Sequence, residues 1–595
     1  MPIVTLPLVF TTNEDGDFLN KLESRIVDEY KGSAKANLLL QYPVVYIHYW
    51  LSNTISYVDS NGEENNINKY DIYVGESNNV IQRTKEHYDN GAFPGRWQHK
   101  LVHCSETPKM IVIGHKHFNK SLTLDIENQL IEYFLAMNSI EKIYNGRGNP
   151  QNNYYPAEEF NDIFKQIWRH LESLNNDIFL SEARIKDSAI FKASPFKKLT
   201  ADQINAKGTI LNAIRKAVTK KPGQLIFVQG EAGTGKTVLT ANIFYELVQM
   251  TSEEEFYGLK CNLMVNHDQQ LHVYEQMAKR LNLGQDIVSK PTTFINNHDE
   301  TNKVDISFID EGHLLLTQGK MSYTGSNQLQ DIIDRSKVTV VMFDEYQILT
   351  TEEYWEAKEL ERFKDKSLKQ GNYITLNNQL RMHCSQSTKD WLDNFILNRT
   401  ITKFKGDKDY EVKSFDTPEK LQSAIKAKAG NPNTCLSRLV ATYDWEYKID
   451  QNPADGGSWG VSIGDWFMPW NYELLKSMSR KEKNAIKNLA WAEQKHTINE
   501  VGSTFTIQGF DLSYVGVILG PAVKYRDGKV IYDPSENKND KVTRQRTLQD
   551  GSRARFGEKL IRNEVKVLMT RGVSGLYIYA VDDELRAALK NIAKI

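Results

Sequence analysis

At 595 residues the chain is several times longer than the roughly 150 residues of an average domain, which excludes a single core and points to about four units. Its 40% hydrophobic and 25% charged residues exclude a chain dominated by disorder. A net charge of −2 excludes a globally basic nucleic-acid binder, so contact with a polyanion has to come from local patches.

Four cysteines, Cys104, Cys261, Cys384 and Cys435, are scattered without a CxxC pair, which speaks against a zinc knuckle and a disulfide framework and fits a reducing cytoplasm. The opening MPIVTLPLVF is apolar but carries no basic leader or small-residue cleavage site, and no run approaches the ~18 apolar residues of a membrane span. A cytoplasmic protein with no membrane partner is expected. Residues 1–43 read as an N-terminal extension: a strand-like opening, then Phe18, Leu22, Ile26 and Tyr30 at helical spacing.

Residues 44–155 change texture to short strands and short helices, the pattern of a small α+β domain. VVYIHYW, a polar connection containing Asn61-Gly62, and YDIYVG read as paired strands, and a helix follows over 79–89. Tyr46 lies on the first strand and Tyr73-Val74-Gly75 on the second, while Arg83 and His87, four apart, share one helix face. Glu127 falls in the helical segment LDIENQLIEYF, and Asn145 follows it. Together they supply a cation for phosphate, a proton carrier and a carboxylate for a divalent ion, the kit for metal-assisted phosphodiester cleavage. Taken singly, strand tyrosines are packing residues and a helix Glu is a solvated one.

As an ordered set these residues resemble the GIY-YIG nuclease domain, although Val44-Val45-Tyr46 lacks the leading glycine and Tyr73-Val74-Gly75 has valine at its centre. The resemblance implies that Tyr46 and Tyr73 line the nucleophile's site, with Tyr46 or His87 as general base. It further implies that Arg83 stabilises the pentavalent phosphate and that Glu127 holds one divalent ion, Mg²⁺ or Mn²⁺. His99, His103, His115 and His117 have no Cys or Asp partner at ligand spacing and read as surface or core histidines.

Residues 156–195 read as a helical linker, with Phe160, Phe164, Ile167, Trp168 and Leu171 on one face. Beyond 196, apolar strands alternate with helical segments as in a parallel sheet with crossovers: 225–228, 262–266, 306–309, 338–343, 438–442, 514–519 and 576–581. Two α/β lobes are expected, over 196–370 and 371–595.

The stretch LIFVQGEAGTGKTVL, residues 225–239, is strand, phosphate loop and helix in the required order. Gly230, Gly233 and Gly235 leave backbone N–H groups able to wrap phosphate, and the helix N-terminus adds a favourable field for anions. Lys236 would reach the β and γ phosphates and Thr237 would hold Mg²⁺. VDISFIDEGH puts Asp310 and Glu311 at a strand's C-terminal end, where the nucleotide crevice of a parallel sheet lies. Asp310 suits the Mg²⁺ shell and Glu311 the attacking water. A second strand, VTVVMF, runs into Asp344-Glu345-Tyr346-Gln347, where Gln347 is placed to sense the γ-phosphate. Arg381, after Gln379-Leu380, and Arg571, after Thr570, are two arginines suited to completing the site across a cleft.

In this order the motifs resemble superfamily 1 helicases. LTADQ matches the adenine-sensing glutamine motif, GEAGTGKT motif I, DEGH motif II, DEYQ motif III and NQLR motif IV; GSTFTIQGFDLSYVGVILG and VLMTRG match motifs V and VI. The likeness covers 196–595 and is nearest the Schlafen-related group of helicase ATPases. It implies two RecA-like lobes with ATP and Mg²⁺ between them and nucleic acid, DNA ahead of RNA, across both. Gln203 would contact adenine, Gln347, Arg381 and Arg571 the γ-phosphate, and Gly509 would couple nucleotide to strand. Of Tyr443, Trp445, Tyr447, Trp466, Trp470 and Tyr472, one or two are expected to stack on bases. Residues 538–566 hold nine Lys or Arg against four acidic residues, either a phosphate-binding patch or a solvated loop.

The chain as a whole is expected to be an α/β multidomain enzyme, a GIY-YIG endonuclease fused to a superfamily 1 helicase-like ATPase. A motor would hold the strand and tether the nuclease to it at high effective concentration, with ATP driving movement or gating the cut. Fold-level analogy suggests phage defence or DNA repair. The rival reading is an ATP-gated nucleic-acid sensor whose N-terminal domain only binds. Protein partners or a homo-oligomer remain open.

Overall fold

β-branched and aromatic residues concentrated in the first half of Val44–Val58 and the second half of Glu64–Ser77 make two long antiparallel strands, in which Tyr46 faces Gly75 and His48 faces Tyr73. They lie in a computed structural model that describes residues 1–8, 17–31, 33–58, 64–145, 154–176, 178–219, 222–250, 256–284, 286–319, 322–377, 379, 381–449, 451–454, 456–486, 489–507 and 510–590. The expected Asn61-Gly62 connection and Gly509 lie outside those residues.

The described chain divides into two compact units, one of Met1–Lys198 with Tyr245–Tyr257 and Val273–Ile287, the other of Leu199–Phe244, Gly258–His272 and Val288–Ile595. The first unit is built on five strands: β1 (Ile3–Pro7), β2 (Val44–Val58), β3 (Glu64–Ser77), β4 (Lys109–Gly114) and β5 (Ile140–Ile143), in the order β1-β4-β2-β3-β5. β1 pairs antiparallel with β4, so the stretch read as an extension supplies an edge of this sheet. The helix after β3 runs Val80–Asn90, started by the Asn79 side chain accepting from the Gln82 N–H at 3.0 Å. The helix Lys120–Leu135 is capped in the same way by Asn119. In the expected linker, Phe160–Leu174 buries Phe164, Ile167, Trp168 and Leu171 of the face its spacing predicts, with Ile163 in place of the half-buried Phe160.

The second unit holds two parallel sheets. The first contains β6 (Gln224–Gly230), β7 (Cys261–Met264), β8 (Val288–Ser289), β9 (Val304–Ile309), β10 (Ser336–Phe343) and β11 (Tyr373–Leu376), in the order β11-β6-β10-β9-β7-β8. Leu225 to Val228 are fully buried, as suits a strand covered on both faces. The expected break between lobes at 370 falls before β11, which pairs with β6. Gly371, left-handed at φ +71°, ends a helix rather than a lobe.

The chain continues with β12 (Glu411–Ser414), β13 (Arg438–Ala441), a hairpin of β14 (Gly460–Ile463) and β15 (Trp466–Pro469), then β16 (Val501–Gly502) and β17 (Leu512–Leu519). Two further hairpins follow, β18 (Val523–Arg526) with β19 (Lys529–Tyr532) and β20 (Arg546–Thr547) with β21 (Arg553–Ala554), before β22 (Gly572–Ala580). The second sheet has the order β12-β22-β17-β13-β16. Trp470 is fully buried, with the rings of Tyr443, Trp445 and Tyr447 at 4.9, 6.3 and 6.4 Å, so much of the aromatic cluster is core. No helix among the described residues is long and apolar enough to cross a membrane.

Candidate functional site

Val341 of β10 pairs with Phe227 of β6 on one side and with Ile309 of β9 on the other. That register brings Gly230, Asp344 and Asp310 to one edge of the sheet, where parallel sheets present their ligand crevice. Gly233 and Gly235 are left-handed at φ +83° and +79°, backbone that a side chain strains. A Cβ on Gly233 would also lie 2.6 Å from the Cβ of Arg381. The helix Lys236–Val248 begins at this loop, with Thr237 in its first turn, so its first N–H groups face the cradle.

Lys236 is buried and donates to the carbonyls of Gly230 and Glu231 at 2.7 and 2.9 Å, with Asp344 Oδ2 at 3.6 Å. Asp310 is fully buried, and its Oδ1 accepts from the Glu311 N–H at 3.0 Å. Glu311 is left-handed at φ +50°, a conformation costing a non-glycine residue about 1–3 kcal/mol. Its Oε2 lies 3.4 Å from Nε2 of the buried His313, which burial pushes below the usual histidine range and so keeps neutral.

Gln347 joins the two lobes: its Nε2 donates to Asp344 Oδ2 at 2.8 Å, and its Oε1 accepts from Arg571 Nη2 at 3.3 Å. Burial first, then the charge of Arg381, lower the Arg571 guanidinium to about 9, against Asp511, Glu311 and Asp344, which raise it. It remains a cation at neutral pH. Arg381 is ion-paired with Asp511. Lys566, on the helix Gly557–Met569, reaches Glu231 of the phosphate loop at 3.1 Å and lies 3.9 Å over the Tyr346 ring. Within the basic stretch Arg546 also turns inward, donating to Thr317 Oγ1 and the Thr351 carbonyl at 2.8 and 2.9 Å. These two residues therefore serve the fold and the phosphate loop, not an outer patch.

Gln203 forms a capping box with Thr200 and turns its Nε2 toward the Thr234 carbonyl at 3.5 Å. A cavity of about 400 Å³ opens beside it, lined by Thr200, Gln203, Thr234 and Leu376 among others.

In the first unit, the Tyr46 hydroxyl and His87 Nε2 are hydrogen-bonded at 2.8 Å. Gly75 makes room for that ring, since a Cβ there would lie 2.5 Å from Tyr46 Oη. Burial first, then Tyr73, holds the Tyr46 phenol well above its ordinary range, while burial and then Arg83 lower His87 to about 4. Both groups are therefore uncharged at neutral pH. The charges of Arg83 and Glu127 both act on Tyr73, and Arg83 pairs with Glu86 at 2.6 Å. Glu127 accepts from Asn145 Nδ2, which also donates to the Val74 carbonyl at 2.7 Å.

Sequence reasoning passed over His48, Trp97, Asp511, His313 and Lys566 as site residues. His48 is fully buried, its two ring nitrogens lack hydrogen-bond partners among the described residues, and its ring lies 5.2 Å from that of Tyr46. Its place two residues after Tyr46 on one strand was the available signal. Trp97 stacks on Tyr73 at 4.2 Å from a separate helix, which no local pattern announces.

The description "Schlafen group 3, DNA/RNA helicase domain" fits the chain over residues 223–582. An uncharacterized protein of Saccharomyces cerevisiae, YPL245W, is 30% identical over 468 residues, which cover 72% of this chain and 98% of the yeast protein. Among solved structures, one titled "The structure of PRRSV helicase" aligns at a TM-score of 0.25 and 10% identity, over 62% of this chain and 54% of that one.

Proposed function

The chain belongs to the Schlafen group 3 helicase family, and from that premise we propose that it is an ATP-dependent nucleic-acid motor or switch whose N-terminal domain cuts phosphodiester bonds. The motor half rests on one observation: Lys236, Asp344, Gln347 and Arg571 form an unbroken line from phosphate loop to second lobe, with contacts of 3.6, 2.8 and 3.3 Å. A γ-phosphate at the loop would draw Lys236 away from the Gly230 and Glu231 carbonyls and loosen its hold on Asp344. Gln347 would pass that change to Arg571, closing one RecA-like lobe on the other.

The left-handed glycines and the buried Asp310 at its strand end fit a nucleotide with Mg²⁺. Thr237 and Asp310 would hold the ion, which supplies charge neutralisation on the β and γ oxygens. Glu311 would orient the attacking water, and Gln203 would read adenine from the neighbouring cavity. Arg381 and Arg571 would balance the charge that builds on the γ-phosphate.

The nuclease half, of the GIY-YIG kind, rests on the Tyr46–His87 hydrogen bond in a wall shared with Tyr73. His87 would take a proton from the Tyr46 side of the site, Arg83 would leave Glu86 for the phosphate, and Glu127 would be the protein's ligand to a divalent ion, Mg²⁺ or Mn²⁺. With a single carboxylate on offer, such an ion would be held largely by water and by the substrate's phosphate oxygens. DNA is favoured over RNA as substrate, and a tethered cutter suits phage defence or DNA repair.

The test incubates purified protein with single-stranded, duplex and forked DNA and matching RNAs, with Mg²⁺ or Mn²⁺, with and without ATP. Hydrolysis stimulated by nucleic acid and cutting that needs a divalent ion are expected. Stimulated hydrolysis with no cutting under any condition would overturn the nuclease half in favour of the ATP-gated sensor. Hydrolysis indifferent to every nucleic acid would overturn the motor half.

A further inference from the structure

The first unit has a cavity of about 250 Å³ against the helices Lys120–Leu135 and Phe160–Leu174 that neither proposed activity uses. In it lies Glu132, 5% exposed, whose Oε2 accepts from Gln129 Nε2 at 2.7 Å. Its Oε1 has no hydrogen-bond partner among the described residues. A buried acceptor left unpaired is unfavourable, and a donor on a bound molecule relieves it. The apolar lining is aromatic: Phe160 and Phe164 stack at 5.9 Å, Tyr133 meets Phe164 at 4.9 Å, and Phe191 meets Tyr133 at 5.5 Å. Lys165, Lys186 and Lys198 are solvent-exposed lining residues, and Lys197 lies 4.8 Å over the Phe191 ring. The second carboxylate of the lining, Glu182, accepts from Tyr133 Oη at 2.8 Å and pairs with Lys186 at 2.6 Å.

We infer that this cavity binds a nucleoside monophosphate, the base among the aromatic side chains with a ring or amino N–H donating to Glu132 Oε1, and the phosphate among the lysines. Aromatic walls suit a planar base, and lysines in excess of carboxylates suit an anion. The volume lies just below the roughly 300–1,000 Å³ of drug-sized pockets, enough for the base and sugar of one nucleotide with its phosphate at the mouth among the exposed lysines, and too little for a strand. Burial also raises Glu132 to about 7, against the charge of Lys197, so a base that donates to it favours the ionised form. Nucleotide held here would tie the nuclease-like unit to the cell's nucleotide pool without passing through the phosphate loop.

The test uses the full chain carrying Lys236→Ala, so that the phosphate-loop site does not dominate the signal, and titrates AMP, GMP, ribose 5-phosphate and pyrophosphate by calorimetry. At least one of the two nucleotides should bind, and more tightly than ribose 5-phosphate or pyrophosphate. Glu132→Ala should weaken it at least tenfold, and so should the exposed pair Lys165→Glu with Lys198→Glu, whose melting temperature should match the parent's. The inference is overturned if neither nucleotide binds, if the folded lysine variant binds as the parent does, or if pyrophosphate or ribose 5-phosphate binds as tightly as the nucleotides.

Discussion

Around the phosphate loop the buried side chains include four ions, whereas around Tyr46 they are neutral. Lys236, Asp310, Asp344 and Arg571 are all nearly inaccessible. Lys236 lies 3.6 Å from Asp344, which Gln347 links to Arg571. Charges in a low-dielectric interior stay tolerable only while each keeps its partner. In the N-terminal cluster, burial pushes His48 and His87 down and Tyr46 and Tyr73 up, so all four favour uncharged forms, and the ions Arg83 and Glu127 are less buried. The two sites should therefore fail differently: loss of one ion strands another in the first, while loss of one neutral group removes a single contact in the second.

Lys236→Ala is the severest way to break this contrast. ATP hydrolysis, followed by phosphate release, should fall by at least ~10³-fold. The variant should also melt lower, because Asp344 loses a buried countercharge, and adding Asp344→Asn should restore melting without restoring hydrolysis. Hydrolysis within about tenfold of wild type would remove the loop from the chemistry. Glu127→Gln should cost cutting on the order of 10²-fold or more while hydrolysis and melting stay near wild type, because the amide keeps the shape and the partner Asn145. A Glu127→Gln chain that lost ATPase activity instead would show that the two sites are not separate machines.

The sequence announced the ionic site more fully than the neutral one. GEAGTGKT, DEGH and DEYQ each place their charge at the end of an apolar strand, so strand order alone brings Gly230, Asp310 and Asp344 together. Lys566 escaped because its partner Glu231 lies 335 positions away, and nothing local distinguishes it from the other eight basic residues of 538–566. In the N-terminal domain the strands were legible from the apolar and aromatic runs VVYIHYW and YDIYVG, but the aromatic packing was not. Trp97 on Tyr73, and Trp50 stacked on Tyr144 at 5.6 Å, join different elements. The lobe boundary expected at 370 cuts off β11, because the pairing of Tyr373–Leu376 with β6, far earlier in the chain, has no local mark in the sequence.

Acid sharpens the comparison at an intermediate scale. His87 titrates near 4 in the folded protein, against 6.5 when unfolded, so below pH 6.5 the unfolded chain takes up a proton that the native state refuses. Stability from this group is intact above 6.5, falls as pH drops toward 4, and is flat below, a total of about 3 kcal/mol. His87→Asn should flatten that part of the pH–stability curve in chemical denaturation. An unchanged slope would mean that His87 is not held neutral. The buried arginine of the other site is charged in both states and contributes nothing in this window, but His313 there, which burial also lowers, adds to the same slope, so the change on His87→Asn is what isolates this group.

Two glycines give the finest discrimination. The nearest atoms to a Cβ on Gly75 belong to side chains, Tyr46 at 2.5 Å and Tyr73 at 2.8 Å, with no left-handed backbone to forbid it. Gly75→Ala should then cost about 1–3 kcal/mol, the range for overpacking, and Tyr46→Ala in the same chain should recover part of it, the contact with Tyr73 remaining. A Cβ on Gly233 meets the Cβ of Arg381 at 2.6 Å, and the residue also sits at φ +83°. Trimming Arg381 leaves both the Cβ and the left-handed backbone in place, so Gly233→Ala should stay destabilised by about 1 kcal/mol or more in an Arg381→Ala background. Denaturation midpoints of the four single and two double variants decide the matter. Recovery at Gly233 would show that the loop can reshape itself, whereas persistence there and relief at Gly75 would mark one site as held by backbone and the other by side-chain packing.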